Sequence, residues 1–71
     1  MIRYIIFKDH NGTIHRLIDQ QNKIKDTDVL EYKGEKYFFS GVSASPFEDI
    51  YYFRKSSGVV NIRVDSVNRI V

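Results

Sequence analysis

The chain has no cysteine and no tryptophan, one proline, and four glycines in 71 residues. Without cysteine there is no disulfide staple and no thiolate zinc site, and a reducing, cytoplasmic setting is the expectation. No long apolar run is present. Ile2-Arg-Tyr-Ile-Ile-Phe7 stops at Lys8-Asp9, far short of a signal or membrane-spanning segment. The glycines, at 12, 34, 41 and 58, each fall at or near a turn or bend and form no phosphate-binding loop. No Gly-x-Ser-x-Gly elbow occurs, and nothing sets a histidine beside Ser43, Ser45, Ser56 or Ser57.

Metal chemistry is as thinly represented. His10 and His15 are the only histidines, and a site would need a third ligand such as Asp9 or Asp19. Asp9, Asn11 and Gly12 look like part of a calcium loop, but the distal glutamate is missing and a turn explains all three. Glu48 and Asp49 are adjacent, so on a strand they point to opposite faces. The expectation is a protein that is not an enzyme, with no cofactor, no metal and no small-molecule substrate.

Net charge is small: eleven Lys and Arg against nine Asp and Glu, a formal +2, too little for bulk polyelectrolyte binding. Its distribution says more. Residues 1–25 hold five basic and two acidic groups, residues 26–49 two and six, and residues 50–71 four and one. Any anion-binding surface should therefore come from the two ends of the chain.

What the chain does have is strand-forming sequence. Asp28 to Val42 reads as a hairpin turning at Lys33-Gly34. It pairs Tyr32 with Glu35, Glu31 with Lys36, Leu30 with Tyr37 and Val29 with Phe38. Both faces carry apolar groups: Leu30, Tyr37 and Phe39 on one, Val29, Phe38 and Val42 on the other. Ile2–Lys8 and Thr13–Ile18 form an earlier hairpin around Asp9-His-Asn-Gly12, pairing Phe7 with His15 and Ile5 with Leu17. A helix over Ile14–Ile24 competes with that second strand, but Gln21 interrupts its apolar stripe, so strand is preferred. Gln20–Thr27 is a polar loop with Ile24 tucked beneath it. Ser43–Asp49, containing Pro46, is a loop with Phe47 at its tip.

Ile50–Lys55 and Val59–Val64 read as a last hairpin, pairing Tyr51 with Arg63 and Ile50 with Val64. That register makes Ile50, Tyr52, Val60, Ile62 and Val64 the core face. Asp65–Asn68 suggests a 3-10 turn and Arg69–Val71 a short closing strand. The sum, over residues 1–71 as a single domain, is all-β: a small barrel or two-sheet sandwich of about six short antiparallel strands. A chain this short buries only about 60% of its unfolded surface, so a partner subunit is a natural source of extra stability. From Lys25 to Val71 the order of turn, strand, hairpin, strand, hairpin, 3-10 turn and closing strand resembles an SH3-like small barrel. That resemblance rests on strand rhythm, with no signature motif. It implies a fold class and, through it, peptide or nucleic-acid binding, not an activity.

The predicted site follows from the last hairpin. Tyr51, Phe53, Lys55 and Arg63 share one face, with a cation–π contact between Tyr51 and Arg63, and Phe47 lies nearby. Aromatic and basic groups on an open sheet suit a protein interface. The expected function is a small interaction module that binds a protein partner or itself as a homodimer. Nucleic-acid binding through the same face, helped by Arg3, Lys8 and Arg69, is the alternative; a regulator or inhibitor masking a partner enzyme is a third. The competing structural reading is that this face is simply the covered side of a sandwich.

Overall fold

The first two turns fix their hairpins through backbone geometry. Asp9 Oδ1 accepts the N–H groups of Asn11 and Thr13 at 2.9 and 3.0 Å. Gly12 N–H donates to the Asp9 carbonyl at 3.0 Å, and Gly12 has φ +84°. Lys33 and Gly34 both have positive φ, 49° and 80°, as a type I′ turn requires. The computed structural model describes residues 2–55 and 63–70. Six strands form among the described residues: β1 Ile2–Lys8, β2 Ile14–Ile18, β3 Val29–Tyr32, β4 Glu35–Ala44, β5 Glu48–Lys55 and β6 Val67–Ile70. No helix occurs among the described residues, so the helical reading of 14–24 is set aside. Both early hairpins keep their expected registers, with Phe7 opposite His15 and Leu30 opposite Tyr37.

The long-range arrangement departs from the expectation. One mixed sheet, in the order β2-β1-β5-β4-β3-β6, curls into a half-barrel. It is neither wholly antiparallel nor a two-sheet sandwich: β1 runs parallel to β5, and β3 parallel to β6. β5 is hydrogen-bonded on both sides, to β1 and to β4, so Tyr51 lies opposite Ile5 and Val42, and Ile50 opposite Tyr4 and Ser43. Neither residue pairs with Arg63 or Val64. The rest of the expected partner strand, Val59–Ile62, lies outside the described residues, as do Ser56–Gly58 and Val71. Central placement suits β1 and β5, because both are apolar on both faces. The Ser43–Asp49 loop shrinks to a turn at Ser45-Pro-Phe47, with β4 and β5 running into it. Ser45 Oγ closes it, accepting from Glu48 N–H at 3.1 Å and donating to the Glu48 carbonyl at 2.9 Å. In place of the 3-10 turn there is a bend at Asp65 and an extended β6.

The core fills the concave side. Ile5, Phe7, Leu30, Tyr37 and Phe53 are buried there with Ile24, and Leu17, Tyr32, Phe39, Tyr51 and Ile70 pack around them. Ile24 reaches the core from the loop because Asp19 folds that loop back. Its carboxylate accepts Lys23 and Ile24 N–H at 3.1 and 2.9 Å, and Arg3 donates to the Ile24 carbonyl at 2.8 Å. A bulge between Phe39 and Gly41 shifts the β4 register, so Val42 pairs with Tyr51 and shares Phe39's face. Simple alternation puts those two on opposite faces; a bulge inserts one residue and switches the alternation.

Candidate interaction surface

Alternation along β5 decides what is exposed, and it runs opposite to the expectation. Phe53 is 3% exposed and belongs to the core. Phe53 lies across from Phe7 on one side and Phe39 on the other, an inward row of three rings. Tyr51 is half-buried, edge-on to Phe39 at 5.5 Å and capped by the Arg3 guanidinium at 4.6 Å. The cation over Tyr51 is therefore Arg3, not Arg63. Arg63 is exposed, bonded through Nε to Asp65 Oδ1 at 3.0 Å. Lys55 is exposed, 3.4 Å from Glu35. Phe47, 83% exposed at the β4–β5 turn, is the one predicted aromatic that faces solvent. The five residues do not form one surface.

The aromatic and basic sheet face exists, but on the convex side and from the alternate residues. Two rows cross it: Ile18, Tyr4, Ile50 and Ser43, then Arg16, Ile6, Tyr52 and Gly41. Ile18 is 57% and Tyr52 39% exposed, with Ile14 at 66% beyond them. Tyr4, Ile6 and Ile50 are half-buried. Arg16 lies over the Tyr4 ring, 4.1 Å from its centre, and reaches Glu48 at 3.8 Å. Gly41 and Ser43 leave an open strip beside Tyr52 and Ile50; a Cβ added at Gly41 would meet nothing within 4 Å. Lys8, Arg16, Lys36, Arg54 and Arg69 share this face by alternation, against Glu31 and Glu48. This face is not legible in the sequence, where the Val59–Val64 pairing puts Tyr52 and Ile50 in the core and leaves Lys8 and Arg69 as isolated basic groups.

On the concave rim, His15 Nε2 and Asp9 Oδ2 are 2.8 Å apart. The His15 ring stacks on Phe7 at 4.7 Å and tilts against Tyr32 at 4.6 Å. The hydrogen bond from His15, with those from Thr13 and Asn11 N–H, holds the Asp9 carboxyl below its ordinary value of 3.8. Burial, then the Asp9 and Glu35 charges, pushes the Tyr37 phenol up from 10.0. The Tyr37 hydroxyl is fully enclosed and has no hydrogen-bond partner among the described residues. Among the described residues no three His, Cys, Asp or Glu side chains come together as a metal site would require. No helix among the described residues is long and apolar enough to cross a membrane. Comparison with protein-family models, with curated proteins and with solved structures finds no match to this chain.

Proposed function

We propose that the protein is a small non-enzymatic interaction module that binds a protein partner through the convex face of β2, β1 and β5. One observation carries this: the two adjacent rows of exposed and half-buried Ile18, Tyr4 and Ile50, then Ile6 and Tyr52, rimmed by Arg16 and opened by Gly41. Exposed apolar patches with a polar rim are where protein interfaces form, and Tyr and Arg are the residues that anchor them. Of the SH3-like reading, the support that remains is the curled all-β half-barrel itself. Cytoplasmic location belongs to the same reading.

The basic groups favour a second reading, single-stranded nucleic acid stacked on Tyr52 and Tyr4. Salt separates the two. Isotope-labelled protein titrated with short single- and double-stranded DNA, at low and physiological salt, should show no salt-dependent amide shifts on Arg16, Ile6 or Tyr52. Steeply salt-dependent shifts there would transfer the face to nucleic acid. In the protein reading, crosslinked partners captured by the wild type persist at high salt and vanish with Tyr52→Ser, while the fold keeps its thermal midpoint. Equal capture by wild type and Tyr52→Ser would remove the convex face from the proposal.

A further inference from the structure

A strand at a sheet edge presents unpaired N–H and C=O groups, and proteins usually blunt such edges with charge, proline or bulges. Among the described residues β2 is the edge on one side of this sheet, and it is not blunted. Ile14–Ile18 has no proline, and its ladder to β1 runs without a register shift. Its only side chain with a fixed charge, Arg16, leans inward over Tyr4 towards Glu48, away from the edge. The opposite edge, β6, is four residues long, and its Arg69 is hydrogen-bonded to Glu31 at 3.0 Å.

The hydrogen-bond parity of β2 is fixed. Asp9 N–H donates to the Thr13 carbonyl, and Asp19 N–H to the Arg3 carbonyl, so the pairs Asp9–Thr13 and Arg3–Asp19 are hydrogen-bonded. Such pairs alternate along an antiparallel ladder. The backbone groups of His15 and Leu17 therefore turn to β1, and those of Ile14, Arg16 and Ile18 turn outward.

We propose that two copies of this chain associate by antiparallel pairing of β2 with β2, with Arg16 on the two-fold axis. In that register Ile14 faces Ile18 of the second copy, Arg16 faces Arg16, and Ile18 faces Ile14. Every outward N–H and C=O of the strand then finds a partner; shifting by two residues in either direction leaves one such pair unmade. On the convex side the two most exposed isoleucines of the strand cover each other. On the concave side His15 meets Leu17 of the second copy. The like charges on the axis are each held by their own Glu48 and Tyr4. The association closes after two copies, because the same patch is used by both, whereas β2 against β6 would extend without end. The contact is made by the backbone edge, so it goes beyond the convex-face reading and does not depend on it.

Sedimentation equilibrium tests the proposal, from micromolar protein to about 1 mM, the weak end of specific association. The mass should rise from 8.4 kDa to twice that and stop. Amide exchange at Ile14, Arg16 and Ile18 should slow with concentration, while that at His15 and Leu17 stays constant. Arg16→Pro removes an outward N–H, which an edge strand tolerates, and should give a folded monomer at every concentration. Should that variant unfold, Ile14→Lys combined with Ile18→Lys provides the same test with the backbone intact. Tyr52→Ser, which affects only the convex face, should dimerise as the wild type does. A constant 8.4 kDa, growth beyond the dimer, or exchange at the three amides that ignores concentration would each overturn the proposal.

Discussion

The two faces of this sheet are built from the same kinds of residue, often from neighbours in the same strand. Ile5 and Phe7 point to the concave side, Tyr4 and Ile6 to the convex; Phe53 is buried and Tyr52 is 39% exposed. Side-chain chemistry does not distinguish the two sets. Curvature does: a half-barrel brings the side chains of its inner face together and spreads those of its outer face apart. Apolar groups then form a core on one side and an accessible patch on the other. The lesson is that hydrophobicity along a two-sided strand says the strand is central, and the sign of sheet curvature says which half of it is core.

The strongest way to break that comparison is to truncate one residue on each face of β1. Phe7→Ala empties a site that is 1% exposed and should cost about 3–5 kcal/mol. That is enough to leave so small a domain largely unfolded at 25 °C. Ile6→Ala, one residue earlier on the outer face, should cost about 1 kcal/mol or less. Thermal melts followed by circular dichroism compare them; equal losses would mean that the outer face is also core.

Glycine gives the next contrast. Gly34 has φ +80°, where a side chain is strained, so Gly34→Val should lose about 1–2 kcal/mol in urea unfolding. Gly41 has open space above it and no positive φ, so Gly41→Ala should fall within about 0.5 kcal/mol of wild type.

A smaller effect concerns the concave rim. Because the folded Asp9 carboxyl sits below 3.8, its contribution is present at higher pH, where the unfolded chain is also ionised. That contribution is lost as pH falls through the lowered folded value. Wild-type protein should lose thermal midpoint between about pH 4 and pH 2. Asp9→Asn should melt lower than wild type at pH 6 and converge on it at pH 2; a constant gap would show that the His15 contact is not charge-dependent.

The smallest expected change is Tyr37→Phe, which deletes a buried hydroxyl that has no partner among the described residues. It should be neutral or stabilise by up to about 1 kcal/mol. A clear loss of stability in calorimetry would mean that the hydroxyl is solvated within the core.

Much of this molecule could be read locally. The registers of the first two hairpins depend on turn chemistry at Asp9–Gly12 and Lys33–Gly34 and on pairs a few residues apart. Ile24 was recognisable as the one apolar group in a polar loop. The site was less legible. The residues of β5 were identified as aromatic and close to basic groups, but Ile50-Tyr-Tyr-Phe53 is apolar on both faces, so alternation expressed no preference. Assigning Val59–Val64 as its partner tipped the choice towards Ile50 and Tyr52 as core. With β1 and β4 as the actual neighbours, Phe53 falls between Phe7 and Phe39 and the choice reverses.

The sequence by itself determined that the chain is all-β, where its first two hairpins turn, and which residues oppose one another within them. These rest on interactions between near neighbours, whose loop-closure cost is small. Only the tertiary structure decided the parallel pairings of β1 with β5 and β3 with β6, the bulge that carries Val42 across the sheet, and the identity of the outer face. Those are set by the joint packing of strands distant in sequence, and in a sheet with period two a single shift of partner or register exchanges inside for outside.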